Sequence, residues 1–195
     1  MEWQRIAEGA HGQVRGIRTK LDSETIFCLK LFREDDEDAY RREIHAYVVM
    51  KEKGLKRCIP TPYFTAIWPR WKWDGEQPDD YSTLDREEIL YGIVMEFFED
   101  CQEIDLKRVN LKMAGALLRT LDMMHETGVY HRDIEDRNIL LVKEEGQVRV
   151  VWIDFSSAWI GLQYGRSQAR DWNDLRAILV ENMVDHSFSI YDIDN

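Results

Sequence analysis

The spacing of apolar and polar positions changes several times along the chain. Over residues 2–32 the apolar positions fall in short runs. These predict three strands, at about 3–7, 13–18 and 25–32, the last rich in β-branched and apolar residues. Lys20-Leu21-Asp22-Ser23 marks a turn between the second and third. The acidic run Glu34-Asp35-Asp36-Glu37-Asp38 then opens a stretch of helical period. Carboxylates suit a helix N-terminus and Lys51 and Lys53 suit its C-terminus, so a helix is expected over about 36–53, stopped by Gly54. Tyr40, Ile44, Tyr47 and Val48 make its apolar stripe, with Glu43 at the border. Arg41, Arg42 and Glu52 read as a solvated face, and His45 as a surface residue.

Residues 58–68, with Pro60 and Pro62, read as a loop entering a strand. A polar insertion rich in tryptophan follows to about residue 84, and 91–95 is again a strand. Residues 105–110 are polar. A helix is then expected at 111–127, burying Ala114, Leu117, Leu118, Leu121 and Met124 and ending at Gly128. Two apolar runs, 139–142 and 148–153, flank the hairpin signal Glu144-Glu145-Gly146-Gln147. A last helix is expected at 171–179, before an acidic tail at 186–195.

Composition narrows the function classes. The 195 residues suit one domain or two small lobes sharing a cleft, large enough for a core without disulfide staples. A net charge of −11 disfavours nonspecific binding to nucleic acid or to an anionic membrane. Cys28, Cys58 and Cys101 are odd in number and share no metal-type spacing. With no secretory signal and no bilayer-length apolar run, the expectation is a reduced, intracellular, cytoplasmic protein, the nucleus left open. Trp68, Trp71 and Trp73 with Arg70 and Lys72 fit either a partner contact in the 68–84 insertion or tryptophans folded back on the chain.

The densest chemistry is His131-Arg132-Asp133-Ile134-Glu135-Asp136-Arg137-Asn138, followed after the hairpin by Asp154-Phe155-Ser156. A carboxylate and an amide on one loop, with a second carboxylate at a strand end, can hold a divalent cation through hard oxygens. That leaves Asp133 to orient a nucleophile.

These two motifs, in this order and spacing, resemble the protein-kinase-like superfamily: a catalytic loop of His-Arg-Asp with Asn at fixed spacing, then Asp-Phe-Gly. Upstream, Ala7-Glu8-Gly9-Ala10-His11-Gly12-Gln13-Val14 resembles the family's glycine-rich loop, with Ala7 at the first glycine position. Phe27-Cys28-Leu29-Lys30 resembles its Val-Ala-Ile-Lys strand. The resemblance implies an α+β, bilobal fold. Its N-lobe, 1–98, would be a five-stranded antiparallel sheet with one helix. Its C-lobe, 99–195, would be truncated and mainly helical. The implied cofactors are ATP and Mg2+ or Mn2+.

It also implies roles. Ala7, Gly9, Gly12, Val14, Cys28, Lys30, Met95, Glu96, Phe98 and Leu140 would line the nucleotide site. Met95 would guard the back of the adenine pocket, Leu140 would floor it, and the backbone of Glu96 and Phe98 would bond the adenine edge. Lys30 would pair with Glu43 and hold phosphates. Asp133 would take the acceptor's proton, and Asn138 and Asp154 would bind metal. His131 and Phe155 would pack. Asp171 would hold the catalytic-loop backbone, a role compatible with a plain helix N-cap.

The sequence departs from the pattern in places. Glu135 stands where Ser/Thr kinases carry Lys. Arg137 either supplies the missing charge or pairs with Glu135 or Asp136 on the surface. Ser156 replaces a glycine, so a left-handed backbone there would be costly. No Ala-Pro-Glu motif follows, and the stretch from Ser157 to Asp171 is short for an activation segment. The chain therefore looks closer to compact members such as RIO kinases and the small kinase subunit of the KEOPS complex. The expected activity is transfer of the γ-phosphate to a hydroxyl of a protein or small molecule. The alternatives are a pseudokinase binding module and an ATPase switch within a complex.

Overall fold

In the computed structural model, residues 2–9, 12–18, 25–69, 89–144, 146–161 and 166–185 are described. The tip of the glycine-rich stretch (Ala10 and His11), the turn at 20–23, most of the tryptophan-rich insertion and the acidic tail lie outside them.

A five-stranded antiparallel sheet is built from β1 (Glu2–Gly9), β2 (Gly12–Arg18), β3 (Ile26–Phe32), β4 (Pro62–Pro69) and β5 (Ile89–Glu96), in the order β1-β2-β3-β5-β4. Side chains alternate across a strand, and the register sorts them. Val14 lies opposite Lys30, and Lys30 opposite Ile93; Cys28 lies opposite Met95. These residues share the face that receives helix α1 (Glu37–Glu52). The other face carries a separate buried cluster of Ile17, Leu29, Leu31 and Val94.

The α1 helix corrects two expectations. Its buried side is Ala39, Tyr40, Glu43, Ala46, Tyr47 and Met50, whereas Val48 is exposed. The expected stripe counts large residues alone and omits Ala39 and Ala46, which are buried as well. Glu43 therefore stands in the middle of the buried face, fully inaccessible, rather than at its border.

Beyond β5 the chain forms β6 (Cys101–Glu103), α2 (Leu111–Glu126), β7 (Val129–Tyr130), β8 (Ile139–Glu144), β9 (Gln147–Trp152), β10 (Trp159–Ile160) and α3 (Arg166–Asp185). Asn110 caps α2, its side chain accepting the Met113 amide at 2.9 Å. The β8–β9 hairpin forms at the expected signal, and β6 joins it as a third strand. β6 and the two-residue pair β7–β10 escaped the sequence reading; two or three residues carry too little period to be seen. α3 begins before the expected residue 171, so Asp171 lies inside a helix and is not its N-cap.

One apolar core runs through both halves. It includes Phe32, Tyr47 and Ile93 above, and Leu117, Leu121, Trp152, Phe155 and Leu175 below. The buried Trp152 donates its indole N–H to Thr120 Oγ1 at 2.8 Å and its backbone N–H to Cys58 O at 2.8 Å. Among the described residues no helix is long and apolar enough to cross a membrane.

Candidate active site

Lys30 is placed by β3 on the face toward α1, and Glu43 by the buried side of α1. Lys30 Nζ lies 2.6 Å from Glu43 Oε2 and 2.8 Å from Asp154 Oδ1. Burial alone would lower the Lys30 pKa, but the carboxylates of Glu43 and Asp154 outweigh it and hold it above the usual value. Burial pushes Glu43 up to about 7 against the pull of the lysine beside it. Asp154 is also desolvated, yet Lys30 and the bonds from Ser156 bring it down to about 2. At neutral pH the lysine thus links one firmly ionised carboxylate to one poised to titrate.

Asp154 has a left-handed backbone, φ 60°. Its Oδ1 accepts Ser156 Oγ at 2.6 Å and Ser156 N at 3.3 Å. The feared strain at Ser156 does not arise: Asp154 takes the positive φ, a conformation Asp tolerates better than most residues, and Ser156 sits in a 3-10 turn. Arg42, read as solvated, donates from Nε to Ser156 O at 2.6 Å and ties α1 to this turn. Phe155 is buried against the Tyr47 and His131 rings, 5.2 and 4.8 Å between centroids. His131 bonds Ile153 O at 2.9 Å, and burial lowers its pKa, so both expected packing residues pack.

On the neighbouring loop, Asn138 Nδ2 donates to Asp133 Oδ2 at 2.8 Å and to Asp133 O at 2.9 Å. That bond fixes the carboxylate of Asp133, which stays about one-third exposed. Arg137 Nη2 approaches Asp133 Oδ2 at 3.2 Å, and its Nη1 lies 3.9 Å from Glu135. The loop is held to the Asp154 strand by Ile153 N donating to Asn138 O at 3.0 Å. Lys30, Glu43, Asp154, Asn138 and Asp133 thus form one linked group.

Asp171 fixes the loop from below. Its fully buried carboxylate accepts the backbone amides of His131 and Arg132, each at 2.8 Å, and meets His125 Nε2 at 3.0 Å. Arg132 has φ 66°. A left-handed backbone at a bulky residue costs about 1–2 kcal/mol, and the two amide bonds compensate it.

The other expected nucleotide residues fall as follows. Ala7 and Gly9 lie on β1, and Gly9 pairs with Gly12 at the start of β2. Val14, Cys28 and Met95 share the face of Lys30. Leu140 is half-buried on β8, opposite Val151 of β9 and Glu103 of β6. Glu96 ends β5: its amide donates to Thr61 O at 2.9 Å and its Oε2 accepts Thr61 N at 3.0 Å. Phe98 is half-buried and lies 5.0 Å under the Arg149 guanidinium. Sequence reasoning missed Arg42 and Arg149. Charged residues on a helix face or beside a hairpin give no local sign of a partner distant in sequence.

The donor set suits a cation shared with a phosphate ligand better than a resident one. Among the described residues no three His, Cys, Asp or Glu gather as a metal site. Magnesium is commonly held by one or two carboxylates completed by substrate phosphates and water. Both bonds of the Asn138 amide use Nδ2, leaving its oxygen, and Asp154 Oδ2 takes no part in the bonds to Lys30 and Ser156.

Residues 2–164 match the family model of the protein kinase domain. The chain belongs to the protein kinase family. It is 31% identical over 148 residues to the MAP kinase kinase MKK1/SSP32 of Saccharomyces cerevisiae, covering 74% of this chain and 27% of that protein. It is 25% identical over 166 residues to protein kinase gsk3 of Schizosaccharomyces pombe, covering 80% and 38%. It is 26% identical over 113 residues to the serine/threonine-protein kinase zyg-8 of Caenorhabditis elegans, covering 57% and 13%. The chain thus spans less than two-fifths of the length of each of these curated relatives.

Proposed function

We propose that this chain is an ATP- and magnesium-dependent phosphotransferase that moves the γ-phosphate to a hydroxyl, most simply a serine or threonine hydroxyl of a protein or of the chain itself. The observation that carries the proposal is the linked group: Lys30 between Glu43 and Asp154, with Asn138 orienting Asp133. A buried lysine flanked by two carboxylates is costly as mere scaffolding, but it serves a ligand of high negative charge.

The chemistry divides among the residues as follows. Asp133 accepts the proton of the acceptor hydroxyl as its oxygen bonds to the γ-phosphorus and the bond to the ADP oxygen breaks. Lys30 turns to the α- and β-phosphates, leaving Asp154 Oδ2 and the Asn138 amide oxygen for Mg2+, which neutralises the phosphates when bound. Arg137 stands beside Asp133 and offers the positive charge that Glu135 denies. Val14, Cys28, Met95 and Leu140 enclose the adenine, and the backbone of Glu96 and Phe98 bonds its edge. Residues 1–98 and 99–195 act as two lobes about that edge. The short stretch from Ser157 to Asp171 supports the reading of a compact, atypical kinase that works without an activation segment.

A second reading, a nucleotide-binding module without transfer, is favoured by one observation: Arg137 and Asn138 already engage the Asp133 carboxylate. Labelled ATP with magnesium and a lysate separates the two. Transfer by the wild type and its loss in Asp133→Asn support the enzyme. Nucleotide-dependent thermal stabilisation without transfer supports the module.

A further inference from the structure

Arg149 lies on β9, five residues before Asp154 and outside both catalytic motifs. Its side chain is only 16% exposed, and it gathers three other segments. Nη1 donates to the carbonyl of Arg57 at 2.5 Å, in the loop after α1. Nη2 donates to Glu144 Oε1 at 2.7 Å on β8 and reaches Glu96 Oε1 at 3.4 Å at the end of β5. The guanidinium carbon lies over the Phe98 ring, 5.0 Å from its centroid. Glu96 is in turn fastened to Thr61 through backbone and side chain.

The register shows which way Arg149 faces. It lies opposite Val142, and Leu140 lies opposite Val151. By strand alternation Leu140, Val142, Arg149 and Val151 share one face of the small sheet, while Leu141 and Val150 turn to the apolar core. Arg149 therefore stands on the same face as Leu140, beside the connection from Glu96 to Phe98.

Packing alone accounts poorly for this arginine. Among the described residues its buried Nε has no partner, a cost that an apolar side chain would avoid. What the guanidinium uniquely supplies is a planar fork that holds a carboxylate, a carbonyl and an aromatic ring at once. We propose that Arg149 is a positioning residue for nucleotide recognition: it fixes the Glu96–Phe98 connection against β9, so that the backbone of this connection is set to receive the base. The inference rests on the phosphotransferase reading above and deepens it at the base end of the site.

The test separates the base from the phosphates. Binding of adenosine, of ATP with magnesium and of tripolyphosphate with magnesium is measured by calorimetry on the full chain, for the wild type and for Arg149→Met, Arg149→Lys and Glu144→Gln. The methionine keeps the stem and removes the fork. Adenosine and ATP should weaken by the same factor, about tenfold, while tripolyphosphate is unchanged. Lysine should not restore binding, because an ammonium cannot span the same partners. Glu144→Gln, which alters one exposed support and should fold even if Arg149→Met does not, should weaken adenosine by about two- to threefold. With an acceptor in hand, the KM for ATP should rise in Arg149→Met with kcat kept.

Adenosine binding unaltered in both Arg149→Met and Glu144→Gln overturns the proposal. So does an equal loss for tripolyphosphate, which would mean general loosening. A wild-type chain that binds none of the three ligands overturns the phosphotransferase reading itself, and this proposal with it.

Discussion

The carboxylate of Asp171 accepts the backbone amide of Arg132 at 2.8 Å, joining α3 to a loop residue that lies almost forty positions earlier. The same side chain holds the His131 amide and meets His125, and it has no exposure at all. Asp171→Asn keeps the shape but removes the charge, and turns an N–H pair toward donors. Charge-assisted bonds contribute about 1.5–3 kcal/mol each, so the variant should lose about 3 kcal/mol or more. That corresponds to a fall of about 6–12 °C in the thermal midpoint for a chain of this size. An unchanged midpoint would show that α3 does not hold the loop in solution.

Glu43 should make stability and the proposed ATP affinity respond to pH in opposite directions. Its pKa rises from 4.5 to about 7 in the folded chain, first because of burial. The folded state therefore holds this proton more tightly than the unfolded state. The stability it contributes is complete below the unfolded value and is lost as pH rises through the folded one. Over about pH 5 to 8 the wild type should lose thermal stability relative to Glu43→Gln, whose profile lacks this component. ATP affinity of the wild type should rise over the same interval, as Glu43 ionises and fixes Lys30. Parallel pH profiles in wild type and Glu43→Gln would place the titration elsewhere.

Legibility in the sequence followed the length and period of each element. α1, α2 and the β8–β9 hairpin were readable because each repeats its pattern over several turns or pairs. β6, β7 and β10, of two or three residues, were not. Residue types at fixed spacing pointed to Lys30, Asp133, Asn138 and Asp154, and the structure links them. The helical period marks Glu43, but its depth shows only once the buried Ala39 and Ala46 are counted, small residues that a stripe of large ones hides. Arg42 and Arg149 were missed because their partners, Ser156 and Glu96, are brought near only by tertiary packing.

Two glycines after helices should respond differently to alanine. Gly54 has φ +83° with open space about a would-be Cβ, so only the backbone penalty applies, about 1 kcal/mol. Gly128 has φ +80°, and its Cβ would stand 3.2 Å from the carbonyl oxygen of Gly161. That contact cannot relax freely, because Gly161 N donates to Gly128 O at 3.0 Å and pins the β7–β10 pair. Gly128→Ala should therefore cost about 2–3 kcal/mol, more than Gly54→Ala, by urea denaturation. Equal costs would mean that the β7–β10 contact yields without penalty.

The three free thiols should alkylate in a fixed order that nucleotide alters at one position. Cys101 is exposed, and its pKa is raised, first by partial burial and then by Asp100. Cys58 is buried and pushed up to about 11. Cys28 is pushed up to about 12, burial outweighing the nearby Lys30 charge. The thiolate is the reactive form, and at pH 8 a thiol of pKa 12 is ionised in only about one molecule in ten thousand. Iodoacetamide should therefore label Cys101 ahead of Cys58 and Cys28, as read by peptide mass spectrometry. Cys28 also shares the Lys30 face of the sheet and lies opposite Met95. ATP with magnesium should slow its labelling by a further several-fold, leaving Cys101 and Cys58 at their original rates. If nucleotide protects all three equally, the ligand merely tightens the fold; if it leaves Cys28 unprotected, the base does not lie against β3.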